Sequence, residues 1–165
     1  MSSAPAPRPG RREIVQYLRD SAGPLQAAIT VHREFMTHLT PLYQQTSQGH
    51  GATATVRART IGKQYGGVFK QARDRVQALS VPQPAARGHE YLQRWLKFLI
   101  DACDALADAP TDGRGTQYLT DAHDFLDDAR YAAKALGDIR QRLHDAVAKP
   151  VAGAAKPPTA PRQSA

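Results

Sequence analysis

The chain has one cysteine, one tryptophan and two methionines in 165 residues, and aromatic residues make up only 7%. Each scarcity excludes something. A lone Cys103 allows no intrachain disulfide and no cysteine-based zinc cluster. The few aromatics, with an apolar fraction that leans on alanine, imply a narrow helical core. β-branched runs of strand length are missing, which argues against a sheet. No apolar run approaches the roughly 20 residues of a membrane span. The opening MSSAPAPRPGRR has no apolar segment behind its charges, so it does not read as a secretory signal. The expectation is one soluble, cytoplasmic domain.

Proline is plentiful, but seven of the twelve prolines fall in the ends: Pro5, Pro7 and Pro9, then Pro150, Pro157, Pro158 and Pro161. Both ends are rich in alanine and proline, basic, and without bulky apolar residues. They read as disordered arms over 1–10 and 149–165, flanking a helical domain at 11–148.

Within that domain the pattern is helical. Ile14, Leu18, Leu25, Ile29, His32, Met36, Leu39 and Tyr43 recur at steps of three, four and seven. Gly23-Pro24 is expected to break or restart this helix with Ser21 as a cap, leaving Arg11–Ala22 as a short extra helix or an extension. Pro41 is expected to kink or end it. After the loop SQGHG, a second stripe contains Ile61, Tyr65, Val68, Ala72, Val76 and Leu79. Gly62, Gly66 and Gly67 weaken it, each costing about 1 kcal/mol against alanine in a helix. The third stripe, Leu92, Trp95, Leu96, Leu99, Cys103 and Leu106, is the clearest. A fourth runs from about Thr116 to Ala148, with Leu119, Ala122, Leu126, Ala129, Ala133, Leu136, Leu143 and Val147 inward.

Four amphipathic helices on short polar loops pack most simply as an all-α, antiparallel up-down four-helix bundle. The stretch PQPAARGHEYLQRWLKFLIDACDALADA resembles uncharacterised bacterial helical-bundle proteins, in which a proline-rich turn precedes a His-containing helix ending in an Ala-x-x-x-Leu stripe. The resemblance covers the last two helices and brings no functional residues with it.

Two histidines lean inward. His32 lies near the centre of the first stripe, and His89 flanks the face of Leu92 and Leu96. Paired haem ligands must oppose each other at one height, whereas these two are expected to be offset by about 10 Å along the bundle. His32 therefore reads as a core histidine satisfied by a partner such as Tyr65, and His89 as a capping or packing residue; no cofactor is expected. Inward Glu-x-x-His pairs of the di-metal bundles are absent. His123 and Asp127 stand four apart, but on the outer face, so no metal site is expected. REFMTH, Arg33 to His38, resembles the Arg-x4-His pattern of the all-α HEPN ribonucleases, with Glu34 where that family has a polar residue such as Asn. In a continuous helix its two side chains diverge by about 140°. Cys103 falls on the core stripe and reads as an inert packing residue.

Charge is the most informative remaining feature. The net charge is +7, but residues 1–100 carry 14 Lys/Arg against 5 Asp/Glu, and residues 101–165 carry 8 against 10. Arg59, Lys63, Lys70 and Arg73 form a stripe opposite the apolar face of the second helix. An up-down topology brings Asp101, Asp104, Asp108, Asp112, Asp121 and Asp124 to the end that also holds Arg57, Arg59 and Lys63. The leading reading is a non-enzymatic interaction or scaffold protein presenting helical faces to a protein partner, with weak, salt-sensitive self-association. The alternative is a nucleic-acid accessory protein tracking phosphates with the basic stripe and arms. A HEPN-like ribonuclease built on Arg33 and His38 is a third reading.

Overall fold

The computed structural model describes residues 10–148, and the arms expected at 1–10 and 149–165 fall, Gly10 apart, outside them. Four long helices follow in order: α1 Arg11–Ser47, α2 Gly51–Gln77, α3 Ala86–Ala107 and α4 Gln117–Ala148, with a 3-10 turn at Gln83–Ala85 before α3. There is no strand among the described residues. Polar contacts fix the directions. Near the start of α1, Tyr17 meets His89 of early α3, and Ser21 meets Arg140 of late α4. Near the end of α1, the Tyr43 hydroxyl donates to the Leu119 carbonyl of early α4. The helices therefore run up, down, up, down, as the four-helix bundle requires.

The N-terminal segment is neither a separate helix nor broken at Gly23-Pro24. α1 runs unbroken for 37 residues through Pro24 and Pro41. Each proline removes a backbone donor, but buried residues lie on both sides of each: Leu18 and Ser21 before Pro24, Ala28 after it, Leu39 before Pro41 and Leu42 after it. Tertiary packing outweighs the local penalty. Ser21 is consequently no cap. Fully buried in mid-helix, it donates to the Leu18 carbonyl and accepts from Arg140 Nη1 at 2.8 Å.

The core faces of α1 and α2 are turned from the expected stripes, although Leu18 and Leu39 of α1 and Ile61, Tyr65 and Val76 of α2 are buried as expected. In α1 the deepest residues are Ala28, Phe35, Leu39 and Leu42, while Leu25, Ile29, Met36 and Tyr43 are half-buried. In α2 the buried face includes Ala54, Ala58, Ile61, Gly62, Tyr65, Gly66 and Phe69, and Val68 is exposed. Both faces are turned by about 60° from the apolar stripes. Small residues explain the shift. A Cβ on Gly62 would stand 2.3 Å from the Cys103 carbonyl oxygen and 2.5 Å from the Ala107 nitrogen, and one on Gly66 would lie 3.3 Å from Cys103 Cβ. α2 lays its glycine face directly on the backbone of α3. The expected stripe of α3 is buried throughout, and in α4 only Ala133 and Val147 are shallower than expected.

The connection from α3 to α4 is made by turn chemistry. Asp112 Oδ1 accepts from the Arg114 backbone N–H, and Gly113 and Gly115 adopt φ +70° and +83°. Gly113 touches the start of α2, where a Cβ would stand 2.7 Å from Ala52 Cα. α3 packs most extensively on α4 and α2, whereas α1 and α4 approach at few points.

Candidate functional site

The histidines resolve into packing roles. His32 is half-buried and stands edge-on to Trp95, with ring centroids 5.8 Å apart. Its neighbour is thus Trp95 rather than Tyr65, which packs against Phe35 and His38 instead. The cause is the turned face of α1, which carries Phe35 to the centre and His32 to the flank. His89 is the more deeply buried of the two. Gln93 Nε2 donates to His89 Nε2 at 2.8 Å, so the neutral ring carries its proton on Nδ1 and donates to the Tyr17 oxygen at 3.3 Å. His89 and Trp95, the neighbour of His32, are six residues apart on α3, about 9 Å along the helix.

Burial lowers the pKa of both His32 and His89 from 6.5. Below pH 6.5 the unfolded chain therefore binds more protons than the folded one. Their contribution to stability is full above the unfolded value and is lost as pH falls through the folded values. The urea midpoint should hold constant from about pH 8 to pH 7 and decline as the pH falls below 6.5. His32→Leu should leave the helical signal intact, change stability by no more than about 1–2 kcal/mol and flatten part of that decline. An unchanged pH profile in the His32→Leu, His89→Gln double variant would exclude this origin.

Cys103 is fully enclosed, and burial pushes its thiol up to about 12. His123 and Asp127 meet at 3.6 Å on the exposed side of α4. No group of three or more His, Cys, Asp or Glu with metal-binding geometry occurs among the described residues. Arg33 is exposed, while His38 is half-buried against the Tyr65 ring at 5.7 Å, so they do not converge.

The basic stripe is divided by its surroundings. Lys63 is exposed and Arg59 half-buried. Lys70 pairs with Asp104 at 3.1 Å. Arg73 turns inward, its Nε enclosed without a hydrogen-bond partner. Lys70 and Arg73 share a groove of about 450 Å³ between α2 and α3 with Arg94 and Lys97, but also with Glu90, Asp101 and Asp104. Lys97 is itself paired with Asp101.

A second surface emerges along the outer side of α3 and α4. At one end, a groove of about 440 Å³ is lined by Arg87 and Tyr91 from α3 and by Tyr131, Asp138 and Arg142 from α4. The Arg94 guanidinium sits 5.5 Å over the Tyr91 ring. Tyr131 is 72% exposed. At the other end, a groove of about 520 Å³ is lined by Asp101 and Asp104 from α3, by Asp108 at its C-cap, and by Asp121, Asp124 and Phe125 from α4. The expected gathering of aspartates is therefore present, except that Asp112 is tied into the turn below it. The arginine–tyrosine cluster had no linear signal, because its members come from two helices separated by some forty residues.

No protein-family model, curated protein or solved structure matches the chain. No helix among the described residues is long and apolar enough to cross a membrane.

Proposed function

We propose that the chain is a non-enzymatic interaction protein whose outer α3–α4 face engages a protein partner. One observation carries this reading: the face combines an open aromatic ring, Tyr131, and the half-buried ring of Tyr91 with arginines at one end and aspartates at the other. Arginine and tyrosine are the residues in which binding energy concentrates at protein interfaces. Sorted charge sets orientation and association rate. An isolated exposed apolar residue needs no explanation, but Tyr91 and Tyr131 share one groove with Arg87 and Arg142.

The reading is tested by affinity capture from native lysate with nuclease treatment. A protein partner should persist after nuclease and be lost when Tyr91 and Tyr131 are both changed to alanine, with the helical signal unchanged. Capture abolished by nuclease, or by changing Arg59 and Lys63 to glutamine, would favour the nucleic-acid reading instead. RNA cleavage by the purified protein that disappears in His38→Ala would favour the ribonuclease.

A further inference from the structure

The two ends of the α3–α4 face carry opposite charge, and their spacing has a symmetry. Along α3 and its C-cap, the outward positions Arg87, Tyr91, Arg94, Phe98, Asp101 and Asp108 follow one another at helical steps of three, four and seven. Phe98 stands half-way between Arg87 and Asp108. On α4, which runs antiparallel, Tyr131 stands half-way between Asp121 and Arg142. Both are on the solvent side, Phe98 half-buried and Tyr131 open. The face thus has arginines at one end, aspartates at the other and aromatic rings at its midpoint, with Asp138 the carboxylate that lines the basic groove and Glu90 and Asp145 exposed near it.

We infer that this face takes a second copy of the same chain, turned by 180° about an axis across the helices at the level of Phe98 and Tyr131. The inference rests on the reading of this face as an interaction surface and names its occupant. That rotation lays α3 antiparallel on its own copy and α4 likewise. Arg87 then comes opposite Asp108 of the copy, Arg94 opposite Asp101, and Arg142 opposite Asp121. The symmetry doubles every pair, because a two-fold interface is self-complementary. Rotation about an axis parallel to the helices would instead bring arginine ends together and aspartate ends together, which like-charge repulsion opposes. The charges therefore select one of the two ways of pairing the face with itself.

The size sets the strength. Arg87 to Asp108 spans about 32 Å of helix, and two helices side by side are about 20 Å wide. This is on the order of 600 Å² per copy, below the roughly 800 Å² of a standard stable interface. The dimer is a weak, reversible one. Its pairs are solvent-exposed at the rim, so salt screens them.

A charge-swap experiment on the full chain tests it. Sedimentation velocity of the wild type at low salt should show reversible dimer formation that rises with concentration, with the association constant falling about tenfold or more in 0.5 M salt. One variant carries Arg87→Asp with Arg142→Asp, the other Asp108→Arg with Asp121→Arg. Each alone should be monomeric, since its own copies now oppose like charges. Mixed one to one, they should restore a dimer at least as stable as wild type, because every swapped residue meets its complement. Circular dichroism confirms that both variants remain helical. These positions are exposed, and Arg87, Arg142, Asp108 and Asp121 are in no ion pair among the described residues. A wild type that stays monomeric at every concentration, a dimer indifferent to salt, or variants that do not recover on mixing would overturn the inference. In those cases the lysate capture still decides separately whether the face binds another protein.

Discussion

Gly62→Ala should lower the melting temperature by about 10 °C, although alanine is the better helix former. The helix itself would gain about 1 kcal/mol from the exchange. Against this stands a methyl group placed 2.3 Å from the Cys103 carbonyl oxygen and 2.5 Å from the Ala107 nitrogen. Both atoms belong to the backbone of α3, so no rotamer change relieves the clash. α2 and α3 must move apart, loosening the packing around Cys103 and Leu106. Forcing a methyl into a close-packed site costs about 1–3 kcal/mol and more where, as here, only backbone can give way, so about 3–4 kcal/mol stands against the roughly 1 kcal/mol gained. A net loss of about 2–3 kcal/mol corresponds to that fall in a domain of this size. Gly67→Ala is the internal control. Nothing lies within 4 Å of a Cβ there, so the propensity gain stands alone and the protein should be stabilised by about 0.5–1 kcal/mol. Opposite signs at two glycines five residues apart, read in one thermal melt, would locate the close approach of α2 and α3. Equal responses would exclude it.

Phe35→Ala should cost about 3–5 kcal/mol, a large part of the 5–15 kcal/mol that separates folded from unfolded domains. Phe35 has no exposed surface and is surrounded by aromatic rings: Phe69 edge-on at 5.9 Å and Tyr65 tilted at 5.5 Å. Its removal leaves a cavity where α1 rests on α2 and strips both rings of their partner, a further 0.5–1.5 kcal/mol per pair beyond area burial, roughly. Met36→Ala makes the comparison that matters. Met36 is only half-buried, so the same truncation should cost less, about 1–2 kcal/mol, near the low end for methionine. Urea midpoints of the two variants rank the faces of α1. If Met36 proved the costlier residue, the core would lie on the apolar stripe read from the sequence and not on the face described here.

The ranking of Phe35 over Met36 illustrates what was legible. The apolar arc of α1 is about 160° wide, because residues 25, 28, 29, 31, 35, 36, 39, 42 and 43 are all apolar. A stripe drawn through it by spacing can be centred anywhere inside. In α2 the signal was weaker still, for the face that packs closest is made of Ala54, Ala58, Gly62 and Gly66. Hydropathy counts large apolar residues, and an interface built by bringing two backbones together has few. α3 has a narrow arc of leucines with one cysteine and one tryptophan, and there spacing and burial agree.

The class and order of the elements were legible in the linear pattern: four helices, the polar turns between them, a buried cysteine and a chain divided into a basic first part and an acidic second part. These follow from periodicity, turn chemistry and residue counts, which are local or additive. Packing between helices set the rest. It carried α1 through two prolines, because burial on either side of each outweighed a lost hydrogen bond. It placed His32 against Trp95 and tied Lys70 to Asp104. It also set Arg87 and Tyr91 beside Tyr131 and Arg142, a juxtaposition with no trace in the linear order. Which residues of different helices share a surface depends on the rotation of each helix about its axis. That rotation is fixed by the closest backbone approach, here at Gly62 and Gly66.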